Sequence, residues 1–266
     1  MVRVTGNFQS ESPLHPKAFE VLHAAFDNGW ADPRKLSQSG FKANQVKNQA
    51  LESMAASLKV PVDSIFAFSS MALGYYVGLQ GLLTESLTLV HGATDRKDIF
   101  AIASRISHHV LPSAIDGKLI SPSQQTRNSV LALSVANAET GVIQECEEII
   151  RSVNPSRIFL DATASGIRVQ GINNYSTAIF DSRSWYGPSE LGLLVIKDKS
   201  LWSNPLPHLN AAHPNFEASL PLLLASAVAI ENFSSEVEEA NIFEFGYAKL
   251  KEKIVDVFGT GSYEDC

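Results

Sequence analysis

The sequence predicts an α/β fold, a mostly parallel sheet with helices on both faces. Three observations predict it. Short apolar runs rich in β-branched and aromatic residues recur along the chain: SIFAF, LTLVH, SVLALSV, RIFLDAT, STAIFD and LGLLVI. Helix-like runs separate most of them, and this alternation is the signature of βαβ units, whose strands are buried on both faces. With 266 residues, 45% of them hydrophobic, the chain can bury one sizeable core.

The elements follow in order. SIFAF reads as a strand and MALGYYVGLQGLL as the next helix. Together they make an uncharged stretch, Ile65 to Leu83, whose length nearly suits a membrane span. It holds Ser69, Ser70, Gln80, glycines and tyrosines, so a buried strand followed by a buried helix is the better reading. LTLVH is a strand and DIFAIASRIS a helix; SVLALSV is a strand, and GVIQECEEIIRSV reads as a helix opening near Gly141. RIFLDAT, STAIFD and LGLLVI complete the sheet. Beyond it PLPHLNAAHP is a turn-rich connector, and SLPLLLASAVAIENF and EVEEANIFEFGYAKLKEKIVDVF read as helices. Open sheets of this kind bind ligands at the carboxyl ends of their strands, which directs attention to the residues just after each run.

Composition narrows the function classes. A net charge of −7 and a pI near 5.5 argue against a general nucleic-acid binder, which needs a basic face. MVRVTGNFQSES lacks the apolar core of a signal peptide, and there are two cysteines, Cys146 and Cys266, with no disulfide framework. A reducing, cytoplasmic setting is expected, with no membrane and no nucleic acid as partner. His108–His109 and the His208/His213 pair have no carboxylate or cysteine at ligand spacing, so no metal is expected. There is no GxGxxG after a strand, no P-loop lysine and no nucleophile elbow.

A resemblance enters at the strand ends. ANAETGVIQ (136–144) resembles the A-N-N-E-T-G-x-x-Q segment of cysteine desulfurases, FLDATASG (159–166) their strand ending in a cofactor aspartate, and DSRSWYGPSELGLLVI (181–196) their S-x-H-K-x-Y-G-P-x-G-x-G-x-L block. SPLHP (12–16) and ADPRKLSQSG (31–40) resemble the N-terminal T-P-x-x-P and G-N-P-S-S-x-H-x-x-G segments. The matches run in order from about Ser10 to Ile196. The chain therefore resembles the class V aminotransferase group, fold-type I enzymes that use pyridoxal phosphate (PLP). The resemblance implies a PLP-transferase large domain over 1–204. It also implies a connector and helical remnant over 205–266 that leads to a largely missing small domain. A separate chain supplying that domain is a further expectation.

The same alignment implies that the chemistry is altered. The lysine that forms the internal aldimine falls on Ser184, whose hydroxyl cannot form a Schiff base. The phosphate-binding serine falls on Asp181, which would repel a phosphate, and the histidine before the lysine on Arg183. Ala67 to Ala72 replaces the phosphate-binding turn T-S-G-x-T-E, with Met71 for the threonine; Arg96 stands for the ring-stacking histidine. Asp161 survives as the pyridine-nitrogen contact and Asn137 remains of an asparagine pair, whereas Ala164 replaces the glutamine on the phenolic oxygen. Cys266 comes too early to be the persulfide cysteine.

The expected ancestral pocket is thus Asp161, Asn137, Arg183 and Ser184, with no catalytic residue and no cofactor, PLP being the family's cofactor but covalent binding not expected. The expected protein is a degenerate desulfurase relative that binds or dimerises, pairing with itself, with an active desulfurase or with a sulfur-transfer protein. The alternative is altered chemistry on non-covalent PLP, or on another anion held by Arg183 and Arg96. Asn137 and Glu139 have a plainer reading as caps of the helix near Gly141, and Asp95-Arg96-Lys97 as a solvated loop.

Overall fold

A computed structural model describes residues 13–169, 172–214 and 216–239, with side chains through 234. The predicted run Glu236 to Phe258 lies largely outside the described residues.

Two helices precede the sheet, α1 (Pro16–Asn28) and α2 (Gln38–Leu58). Proline at the first position and Ser37 accepting from the Gly40 N–H supply their N-terminal starts. β1 (Ile65–Phe68) leads into α3 (Met71–Gln80), so the uncharged stretch is a buried strand and helix. No helix among the described residues is long and apolar enough to cross a membrane. α3 is shorter than the apolar run suggested, because Gly81 closes it and packs under the Trp202 indole. Then come β2 (Thr88–Gly92), α4 (Lys97–Ala103), β3 (His108–Leu111), β4 (Ser129–Ser134), α5 (Cys146–Val153), β5 (Arg157–Asp161), β6 (Thr177–Asp181), β7 (Gly192–Ile196) and α6 (Leu220–Glu239).

The seven strands form one sheet in the order β1-β7-β6-β5-β4-β2-β3. β2 through β6 are mutually parallel; β7 runs antiparallel to both β6 and β1. The mostly parallel mixed sheet of the sequence reading is thus present. β3 adds an edge strand the pattern did not reveal: its burial is confined to Leu111, so it lacks the continuous apolar run of the inner strands.

Each sheet face carries its own core. On one face Leu131, Leu133, Leu160 and Phe180 pack under α1, α2, α5 and α6; on the other Val130, Phe159, Ile179 and Leu194 pack under α3 and α4. α6 lies against α1 and α2, burying Leu223, Ile230 and Phe233, each worth roughly 1.5–3 kcal/mol. Its Ser226 hydroxyl accepts from Trp185 Nε1 at 3.1 Å and meets Ser182 Oγ at 2.6 Å, which ties the helix to the loop after β6.

One local expectation is corrected. The segment at Gly141 does not open a helix. Ala136 and Ile143 form an antiparallel bridge, the Gln144 N–H donates to Val135 O at 2.9 Å, and α5 starts only at Cys146. Gly141, with φ +73°, supplies the tight turn that reverses the chain.

Candidate functional site

Because β7 alone is reversed, the ends of β1, β2, β4, β5 and β6 open on one edge of the sheet, and β7 begins there. Phe68 and Asp181 both pair with Gly192, and Ser134 pairs with Asp161. The sequence-predicted residues gather at this edge.

Asp161 is the hub. It is 3% exposed, so its carboxylate needs internal donors. Oδ1 accepts from the Thr163 N–H at 2.9 Å and Thr163 Oγ1 at 2.7 Å; Oδ2 accepts from Tyr75 Oη at 2.6 Å. Ser134 Oγ lies 3.4 Å from Oδ2 and Arg96 Nε 3.9 Å. The Ser134 hydroxyl donates to a second carboxylate, Asp95 Oδ1, at 2.7 Å, while Asp95 Oδ2 accepts from the Gly92 N–H at 2.7 Å. Burial pushes Asp95 up to about 6, against its hydrogen bonds and with help from the neighbouring Asp161 charge. Burial, then the same charge, raises Tyr75, so its phenol stays protonated and remains a donor. Asp95 and Arg96 are therefore parts of the cluster rather than a solvated loop.

Asn137 serves the hairpin. Its Oδ1 accepts from the Glu139 and Thr140 N–H groups at 2.9 and 3.0 Å, and its Nδ2 donates to Thr94 O at 3.0 Å. It caps a turn, not a helix, and ties the β4 loop to the β2 loop.

Ser184 lies in a single helical turn, Ser182–Trp185, beyond β6. It is 7% exposed, and its hydroxyl donates to Asp181 O at 2.7 Å. Gly166, in the left-handed region at φ +55°, backs directly onto it: a Cβ there would stand 2.4 Å from Ser184 Oγ. Asp181 does not face a free cation. Its carboxylate accepts from the Arg183 N–H at 2.9 Å, from Nε at 3.2 and 3.1 Å, and from Nη2 at 2.8 Å. Tyr186, at φ +60°, turns the chain, and its carbonyl accepts from the His15 N–H at 2.8 Å. Two segments of the resemblance, SPLHP and the Tyr186-Gly187-Pro188 turn, thus meet in space.

The turn after β1, Ser69–Ser70, is exposed, with Ser70 Oγ accepting from the Leu73 N–H at 3.4 Å, and apolar groups pack behind it. Phe68 is fully buried, and a Cβ on Gly192 would stand 2.3 Å from its ring and 2.9 Å from Met71 Sδ. The histidine pairs do not converge with acids: among the described residues no group of three or more His, Cys, Asp or Glu is placed to hold a metal.

The mostly parallel seven-stranded sheet with one reversed strand agrees with the PLP-transferase fold that the resemblance implied. Solved structures place it more closely. The chain superposes on a NifS-like protein with a TM-score of 0.78 at 17% identity, covering 92% of this chain and 72% of that one. A NifS-like protein from Rickettsia africae gives 0.76 at 14% identity, covering 93% and 73%. A cysteine desulfurase from Thermococcus onnurineus, in its apo form, gives 0.75 at 14% identity, covering 92% and 71%. No protein-family model and no curated protein matches the sequence. The fold is that of the NifS-like cysteine desulfurases, as the resemblance implied.

These neighbours correct one expectation. The sequence reading assigned no cofactor, but cysteine desulfurases are PLP-dependent, so PLP is the cofactor that goes with this fold. The residues present fit it at one point only. Asp161 offers a buried carboxylate of the kind that pairs with a protonated ring nitrogen. Ser184 offers no amine, and Asp181, at the position of a phosphate ligand, offers a carboxylate already paired with Arg183. The site does not fit a covalently held PLP.

Sequence reasoning missed Tyr75, Ser134 and Thr163. Thr163 was within reach, since an aspartate followed two residues later by a hydroxyl often forms a local turn. Ser134 ends a strand whose edge was already singled out. Nothing in the sequence signals that Tyr75, on a uniformly apolar helix, reaches across to β5.

Proposed function

We propose that this chain is a cysteine desulfurase relative that carries no desulfurase activity and acts by association, with itself, with an active desulfurase or with a sulfur-transfer partner. The observation that carries the reading is Ser184: buried, hydrogen-bonded to Asp181 O, and closed in by Gly166, where the chemistry needs an amine. Association draws support from exposed aromatic groups on the two N-terminal helices and the residue just beyond α1. Phe19 and Phe26 on α1, Trp30 just beyond it, and Phe41 on α2 are each more than half exposed, and Phe26 and Trp30 pack edge-on at 5.4 Å. The 205–266 unit is then a connector whose first helix has joined the large domain.

A second reading keeps PLP in the pocket without a covalent bond, and the survival of Asp161 favours it. An anion site built from Arg183 and Arg96 is less favoured, because both guanidinium groups face carboxylates of the chain itself.

The test is alanine release from L-cysteine with PLP supplied. The expected rate equals that of PLP in buffer alone, and Ser184→Lys leaves it there. Enzyme-dependent alanine from the unaltered protein contradicts the reading. Sedimentation equilibrium tests association, with concentration-dependent dimers expected and a strict monomer that binds no partner counting against it.

A further inference from the structure

We propose that Arg96 decides what Asp161 can bind, its guanidinium being a tethered occupant of the place a cationic ring nitrogen would take. The inference deepens the reading of Asp161 as a ring-nitrogen contact, and rests on it. The donors on Asp161 divide into two kinds. Tyr75 and Thr163 are almost wholly buried, and their bonds of 2.6–2.9 Å hold the carboxylate from within. Such donors fix the direction of the carboxylate and carry no charge of their own. Arg96 is the one cation paired with it among the described residues, and its side chain is 39% exposed, so it approaches from the open side. The distance of Nε, 3.9 Å, is an ion pair and not a hydrogen bond. Oδ2 accepts from Tyr75 Oη at 2.6 Å, is reached only weakly by Ser134 Oγ at 3.4 Å, and faces the Arg96 charge besides.

The backbone holds Arg96 there. It immediately precedes α4, and Asp95 beside it is clamped by the Gly92 N–H and Ser134 Oγ, both at 2.7 Å. The same Ser134 touches both carboxylates, so the arginine turn and the Asp161 hub form one unit. A protonated ring nitrogen needs the negative charge of Asp161. With Arg96 in place it would meet a like charge at that oxygen, and binding would require the guanidinium to swing away. An aspartate supported by buried donors and covered by one half-exposed arginine is a built cation site that the chain fills itself.

The probe is pyridoxine, which has the ring nitrogen but neither phosphate nor aldehyde. It can neither be drawn to Arg96 by its phosphate nor trapped by surface lysines. Its dissociation constant is measured by fluorescence titration for the full chain, for Arg96→Ala and for Arg96→Gln, the latter keeping side-chain bulk should the alanine variant fail to fold. Removal of the guanidinium is expected to tighten binding at least about tenfold, a difference of roughly 1.4 kcal/mol. Arg96→Lys is expected to gain much less, and adding Asp161→Asn to Arg96→Gln is expected to abolish the gain. Unchanged, weaker or undetectable binding by the folded Arg96 variants overturns the proposal. Alanine release by the unaltered protein would overturn the loss of desulfurase activity and leave this inference standing, so the two failures are distinguishable.

Discussion

Replacing Tyr75 with phenylalanine removes one oxygen from the centre of the Asp161 cluster and leaves the ring that packs on Phe159 at 5.9 Å. The lost contact is a 2.6 Å hydrogen bond from a phenol to a buried carboxylate. Hydrogen bonds to charged groups contribute about 1.5–3 kcal/mol. Asp161 keeps both Thr163 donors, so it is not orphaned, and the cost should be about 2 kcal/mol. For a chain of this size that lowers Tm by roughly 4–8 °C. Reversible urea unfolding, followed by far-UV circular dichroism, measures the difference directly. A double-mutant cycle with Asp161→Asn isolates the pair, and a coupling of about 1 kcal/mol or more is expected. A loss below about 0.5 kcal/mol with no coupling would show that the cluster is not held as described.

Other expectations can be checked alongside it. Asp95 lies above its ordinary value in the folded state, at about 6, so the unfolded chain releases this proton first as pH rises. Its contribution therefore weakens stability between about pH 4 and 6, on the order of 1–3 kcal/mol. Asp95→Asn should flatten that fall in a pH series of unfolding midpoints, and an unchanged slope speaks against the assignment. Gly166→Ala forces a side chain into a left-handed position and against Ser184 Oγ, so it should cost about 2 kcal/mol or more. The loss should shrink when Ser184 is also made glycine; a neutral Gly166→Ala contradicts the packing. Burial, then the Glu147 charge, pushes the Cys146 thiol up to about 12. In a Cys266→Ser background it should resist a thiol reagent until the chain unfolds, and rapid native-state labelling would refute this.

The fold was legible because its inner strands are continuous apolar runs that fit only a sheet buried on both faces. SVLALSV and LGLLVI could hardly sit elsewhere. β3 was hidden, since an edge strand with two histidines and one buried residue carries no such pattern. The hairpin at Gly141 was read as a helix because GVIQECEEII is apolar at helical spacing; the positive φ of a single glycine outweighed that periodicity. At the site, Asp161 and Ser184 could be placed from their neighbours in sequence. Tyr75 could not, because its role arises from a pairing across 86 residues; Ser134 could be placed at a strand edge, but not its contact with Asp161, 27 residues on. The expectation of no cofactor is corrected for another reason: a missing lysine removes one bond to PLP, whereas PLP is the cofactor of the desulfurases that share this fold.

The central claim, a desulfurase fold without an amine at position 184, is tested most directly by borohydride trapping. The full chain is incubated with PLP, reduced, digested and mapped by mass spectrometry. The account predicts no saturable adduct, only scattered low-level labelling of surface lysines. A single stoichiometric lysine adduct, accompanied by an aldimine absorbance that disappears on reduction, would contradict it.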